Sequence, residues 1–347
     1  MTTNLFFELL QMALGMRDHL SRVPTVVEWE EMYDEAVRQS VASLMVSAIE
    51  RLPAEQSPPI DIKYEWIGEV QLDEANYRTH CERAAELTKR CWAVGFRSCV
   101  LKGVGMAQYY PEPSRRLCGD IDFLVDGRRK DVMAWLQSQY EIGLVTWHHA
   151  KAMIFDDVKI EIHMHPAWMY GPSRNRKLQR FFDDESDGWH DSGLGFNVPG
   201  VQFDAVFSLV HTFHHFLEEG VGLRHVVDYF YVLKKCHTVN HELSIKKEDI
   251  MKMVEQLGMK RFVGAMMYIL NKVCGMPASE LLCEPNEKEG RFLLSDIIAG
   301  GNFGKSRQDG KGRNTVGRWM MMVRHYPSEV LWMVPWKVWH WSWRMTH

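Results

Sequence analysis

Gly119-Asp120-Ile121-Asp122-Phe123-Leu124-Val125 sets two aspartates two residues apart inside an apolar run, downstream of a glycine turn at Lys102-Gly103-Val104-Gly105. Side chains alternate between the faces of a strand, so Asp120 and Asp122 share one face while Ile121 and Phe123 take the other. Two carboxylates aimed at one point repel, and a divalent cation with hard oxygen ligands offsets that repulsion. The stretch therefore predicts a strand with a Mg²⁺ site on one face.

A second strand is expected over 158–164, where Val158-Lys159-Ile160-Glu161-Ile162-His163-Met164 alternates apolar and polar, with Asp156-Asp157 suited to a tight turn before it. Glu161 and His163 then share a polar face. An alternating strand needs polar residues outside in any case, so Glu161 alone carries little. Placed beside the first strand, it would bring three carboxylates together to hold two cations about 4 Å apart, as in-line displacement at phosphorus requires. Lys102 offers a point charge beside the glycine turn, and Arg116 a two-pronged grip on phosphate oxygens. The adjacent Arg115 is separated from Arg116 poorly by the residues themselves.

Lys102-Gly103, Tyr110-Pro111, Arg116, Gly119-Asp120-Ile121-Asp122 and Glu161-Ile162-His163 together resemble the nucleotidyltransferase superfamily of DNA polymerase β type, most of all the bacterial group of uncharacterised nucleotidyltransferases. The resemblance covers about residues 95–165 and extends more weakly through the helices after 204. It implies Asp120, Asp122 and Glu161 as catalytic residues and metal ligands, for two Mg²⁺ ions with Mn²⁺ as substitute. It also implies nucleotide binding by Lys102, Gly103 and Arg116, and favours Arg116 over Arg115 because Arg116 stands three before Gly119. Two departures are visible. Many relatives have Gly-Ser or Gly-Gly at the turn, and the gap from Gly103 to Asp120 is 17 residues, longer than usual, with 108–114 expected to loop out. The expected activity is transfer of an NMP from an NTP, ATP first, to a hydroxyl on a small molecule or protein, with pyrophosphate released and Glu161 or His163 taking the proton. The alternative is a nucleotide-binding regulatory or operon-partner protein with little catalysis, which an intact carboxylate triad disfavours.

Composition bounds these readings. With 46% hydrophobic and 25% charged residues over 347, the chain reads as globular protein with ordinary cores. A formal charge of −4 lacks the pull on nucleic acid that a template-binding polymerase needs. Seven cysteines without a C-x-x-C pair are expected to be reduced thiols. No secretory leader and no membrane-length apolar run is read, so a cytoplasmic location without membrane attachment is expected.

Helical spacing recurs from Leu5 to Leu14 and from Val37 to Ala48, and prolines at 53–59 break that unit. A helix over 67–94, a strand over 98–101 and a helix over 129–140 follow. The expected fold class is α+β: a small mixed β-sheet nucleotidyltransferase core with helices, flanked by N-terminal and C-terminal helical regions. Its expected spans are a helical region at 1–87, the core at 88–170, a polar linker at 171–203 and a helical domain at 204–347. Asp204 reads as the N-cap of a helix over 205–219, and Gly220-Val221-Gly222 separates it from another over 223–235. There Arg224 either pairs with Asp228, four residues on, or binds nucleotide phosphate. His211, His214 and His215 share a helix face, read as cleft lining rather than as a Zn²⁺ site.

Residues 299–306 satisfy a loose phosphate-loop pattern, but Arg307-Gln308-Asp309-Gly310 after them is not helix-forming, so the pattern is rejected. A basic loop with Lys305, Arg307, Lys311 and Arg313 is expected instead. The tryptophans of 326–347 read as a terminal helix packed on the helical domain.

Overall fold

A computed structural model describes residues 2–239, 247–306 and 316–346. Helices α1 (Thr2–Ala13), α2 (Val26–Gln39) and α3 (Ala42–Ile49) bury apolar stripes against one another. Thr25 starts α2 with a capping box: its hydroxyl accepts from Glu28 N–H, and the Glu28 carboxylate accepts from Thr25 N–H. The 34-residue α4 (Ile60–Ala93) begins right after Pro58-Pro59, seven residues earlier than expected, because proline is well tolerated at a helix start.

β1 (Arg97–Val100), α5 (Val104–Ala107), β2 (Ile121–Asp126), α6 (Arg129–Gln139), β3 (Glu141–Val145), β4 (His149–Met153) and β5 (Ile160–His163) form the core. Its five-stranded sheet has the order β1-β2-β5-β4-β3, with β2 and β5 parallel and the other neighbours antiparallel. The fold is thus α+β with a mixed sheet. One face carries Ile121, Phe123, Val125, Ile160 and Ile162, which bury against Ala84, Leu87 and Cys91 of α4 and Val132 and Leu136 of α6. Alternation then forces Asp122, Glu161 and His163 to the opposite face.

That opposite face is covered by α8 (Val201–Glu218) and α9 (Leu223–Val239), reached through α7 (Pro172–Asp184) and the short pair β6 (His190–Asp191) and β7 (Asn197–Val198). The polar stretch after Tyr170 holds more regular structure than its sequence suggests, because α7 anchors itself with only Leu178 and Phe182. Asp204 does not cap α8. The helix starts four residues earlier after Gly200, and Asp204 is buried within it, accepting a hydrogen bond from Tyr109 Oη (2.7 Å). Nor does 108–114 loop out. Tyr109 and Tyr110 turn inward to Asp204 and Asp228, and residues 113–115 form a 3₁₀ turn.

The remainder is α10 (Lys247–Gln256), α11 (Lys260–Lys272), α12 (Glu287–Gly300), α13 (Val316–His325) and α14 (Pro327–Arg344). All seven cysteines are free thiols, and among the described residues no helix is long and apolar enough to cross a membrane.

Candidate active site

Strand register assembles the acidic cluster. Asp122 pairs with Glu161 across β2 and β5, and across β4 and β5 Lys151 pairs with Glu161 and His149 with His163. Asp120 immediately precedes β2, two residues before Asp122 and on the same side. Ligand oxygens of Asp120, Asp122 and Glu161 lie within 4.8 Å of one another. Asp122 is fully buried; its Oδ1 receives Lys102 Nζ (2.9 Å) and meets His163 Nε2 (2.9 Å), while its Oδ2 has no protein partner.

These charges act on one another. The charge of Asp122, with burial second, pushes the Asp120 carboxyl above its ordinary range. Burial works the same way on Asp122, but the Lys102 ammonium and His163 outweigh it and hold that carboxyl well below the usual range. Glu161 is likewise lowered against its burial, with the Lys102 ammonium among the groups that hold it down. A carboxylate repelled by its neighbour and a buried oxygen without a partner are what a bound cation relieves, and an all-oxygen donor set suits Mg²⁺. The residues fit a divalent metal.

The turn before the cluster needs its glycines. Gly103 has φ +60°, and a Cβ there would lie 3.0 Å from the Asp120 carbonyl oxygen; one on Gly105 would lie 2.6 Å from that of Val100. Arg116 fastens this turn. Its Nε and Nη2 grip Asp228 at 2.7 and 2.8 Å, and Nη1 donates to the Gly103 carbonyl (3.1 Å). Every guanidinium nitrogen of Arg116 thus has a protein partner, whereas Arg115 turns away to Glu50 and Glu112. Since Arg116 and Tyr110 take the carboxylate of Asp228, Arg224 is left to donate Nη1 to the Leu117 carbonyl (3.2 Å), with Nε buried and unpartnered.

Between this sheet face and α8–α9 lies a cavity of about 400 Å³, and every residue singled out from the sequence as catalytic or nucleotide-binding lines it: Lys102, Gly103, Arg116, Asp120, Asp122, Glu161 and Arg224. His211, His214 and His215 line it too. Lys102 donates to His211 Nε2 (2.8 Å), and burial, the largest cause for each, holds all three imidazoles low, His214 down to about 4, so they are neutral near pH 7. Among the described residues they belong to no cluster of three or more groups placed to hold a metal ion.

Sequence reasoning missed His148, His149 and Lys151 on one side of the cavity and Trp168 and Trp336 on another. The available signal was the alternation His149-Ala150-Lys151-Ala152, which marks a strand by its period but weakly, since alanine is a poor strand former. The phosphate-loop-like segment 299–306 begins in the last turn of helix α12 instead of after a strand, so the context for a phosphate loop is lacking. Lys305 is exposed; Arg307, Lys311 and Arg313 lie outside the described residues.

A family model described as "uncharacterised nucleotidyltransferase" matches residues 25–275, a span running from α2 through α11 and containing the entire acidic cluster. No curated protein matches the chain.

Proposed function

Because the chain belongs to the uncharacterised nucleotidyltransferase family, we propose that it is a metal-dependent enzyme moving an NMP from an NTP, ATP first, to the hydroxyl of a small molecule or protein, with release of pyrophosphate. The observation that carries this reading is the in-register meeting of Asp122 and Glu161, with Asp120 beside them, on the wall of a cavity rich in cationic groups. A volume of about 400 Å³ falls within the usual range for small-ligand sites, about 300–1,000 Å³.

Asp120, Asp122 and Glu161 would hold Mg²⁺ or Mn²⁺. When bound, such ions neutralise triphosphate charge and ease ionisation of the acceptor hydroxyl. The chain's own groups do the rest. Lys102 and Arg224 face the cavity as cations; Arg224, with a donor to spare, is the better placed for phosphate, and Lys102 holds Asp122 ionised until a ligand competes for it. Arg116 acts at one remove, clamping the Gly103 turn so that backbone can approach phosphate closely. Glu161, kept ionised beside Lys151 (3.0 Å) and Lys102, is the group assigned to take the acceptor proton.

The test is a screen of the four NTPs with Mg²⁺ or Mn²⁺ and pooled hydroxyl acceptors, read by pyrophosphate release and label transfer. Release that requires the cation and disappears in Asp122→Asn supports the reading. NTP binding in the cavity without turnover under any condition would demote the protein to a nucleotide sensor.

A further inference from the structure

We propose that the sheet carries a second cation site adjoining the carboxylate cluster, in which His149 Nε2, His163 Nε2 and one oxygen of Glu161 hold a borderline divalent transition ion of the Zn²⁺ or Co²⁺ kind. It deepens the reading above, resting on it only through the shared Glu161. One ligand atom from each of the three residues lies within 4.8 Å of the other two, and each imidazole Nε2 stands 3.8 Å from Glu161 Oε2. Glu161 Oε1 is turned the other way, to Lys151 (3.0 Å).

Hydrogen bonds settle which nitrogen of His149 is bare. The Thr146 hydroxyl donates to the His149 carbonyl (3.0 Å), which leaves its oxygen to accept from His148 Nδ1–H (3.2 Å). His148 Nε2 then carries a lone pair and accepts Nδ1–H of His149 (2.6 Å). His149 Nε2 is left as a lone pair, and it is buried without a protein partner on a residue only 9% exposed. An orphaned buried acceptor of this kind is costly to the fold unless something binds it.

His163 is backed in a similar way. Its Nδ1 reaches the His165 carbonyl (3.3 Å), the outer contact that turns the Nε2 lone pair of a metal-binding imidazole inward. The other tautomer gives Nε2–H to Asp122 Oδ1 (2.9 Å), and a bound cation would favour the first over the second. Two imidazoles and one carboxylate with a fourth position open to the cavity are a donor set that zinc enzymes use for catalysis, and the nitrogens favour Zn²⁺ or Co²⁺ over Mg²⁺. The oxygen cluster beside it would keep its preference for Mg²⁺.

The experiment uses the full chain, stripped of metal by a chelator and titrated with Co²⁺ alone, followed by visible absorption and calorimetry, with Mg²⁺ titrated in parallel. The expected result is the strong visible absorption of imidazole-bound, low-coordinate Co²⁺, displaced by equimolar Zn²⁺ but not by excess Mg²⁺. His149→Ala should weaken Co²⁺ binding at least ten-fold and leave Mg²⁺ binding unchanged. His148→Phe keeps a ring against Trp168 but removes the acceptor of His149 Nδ1–H, and should cost about ten-fold in Co²⁺ affinity. It carries the test should His149→Ala fail to fold. A pale spectrum of oxygen-bound Co²⁺, or unchanged Co²⁺ affinity in the folded variants, overturns the nitrogen site and leaves the carboxylate reading standing. Failure to bind either cation overturns both.

Discussion

Asp120 and Asp122 look equivalent in the sequence and are opposite in their surroundings. Asp122 is buried and ion-paired with Lys102, whereas Asp120 is only partly buried and repelled by Asp122. Removing the charge of Asp120 relieves repulsion. Removing that of Asp122 strands a cation, and breaking a largely buried pair from one side costs about 3 kcal/mol. In metal-free buffer, Asp120→Asn should therefore melt at or above the parent temperature and Asp122→Asn several degrees below it, while both lose the rise in melting temperature that Mg²⁺ with NTP gives the parent. Equal metal-free stabilities would mean that the Lys102–Asp122 pair contributes nothing to the fold.

At the scale of elements, α4 joins the N-terminal helices to the sheet and carries a buried acid. Asp73 accepts from Ser43 Oγ of α3, but its Oδ1 has no partner. Burial pushes its carboxyl up to about 6; Glu69 reinforces the rise, and Ser43, Arg224 and Arg116 oppose it. A carboxyl raised on folding stabilises the native state fully below its ordinary value near 3.8, and that contribution is lost as pH rises through 6, a swing of at most about 3 kcal/mol. Asp73→Asn keeps the shape without the charge. Its melting temperature should match the parent near pH 4 and exceed it at pH 8, and parallel curves across that range would remove Asp73 from the balance. The segment after α12 gives a second test at this scale. With a helix before it and an exposed Lys305, Lys305→Ala should lower NTP affinity by no more than about 1 kcal/mol, as for an exposed charge contact. A loss exceeding that of Asp122→Ala in calorimetric titration would restore the phosphate-loop reading and displace the site assigned above.

Elements also differ in how plainly the sequence announced them. β2 and β5 are interior strands in which apolar side chains flank Asp122 and Glu161, so their period is visible. β3 is an edge strand with no fully buried residue, and without a buried face there is no alternation to read. The carboxylates and the glycine turn were legible because few local structures other than a metal site need them together. The contact of Arg116 with Asp228, 112 residues away, and the His148–His149 relay were not, because both depend on which strands and helices become neighbours.

For the whole molecule, the wall of the cavity is finished by the far end of the chain. Helix α14 lies beyond the span matched by the family model, yet Trp336 lines the cavity and stacks on Trp168 with centroids 5.6 Å apart and planes 15° from parallel. Several fastenings hold it there. Glu329, 1% exposed, accepts from the backbone N–H groups of Tyr170 and Gly171; His340 Nε2 accepts from Trp147 N–H (3.2 Å); and Lys337 pairs with Glu218 (2.9 Å). So many ties on a helix whose outer face leaves Trp341 66% exposed indicate that position, not burial, is what α14 supplies. Trp336 is only partly buried, so its truncation should cost less than the 3–5 kcal/mol of a core tryptophan. Its loss should fall on the ligand. Trp336→Ala is predicted to weaken NTP or acceptor binding about ten-fold, as for loss of an aromatic contact, while Mg²⁺ affinity at Asp120, Asp122 and Glu161 stays at the parent value. Calorimetry with each ligand separates the outcomes: unchanged NTP and acceptor affinities would reduce α14 to scaffold, and a fall in Mg²⁺ affinity would mean that the helix shapes the sheet itself.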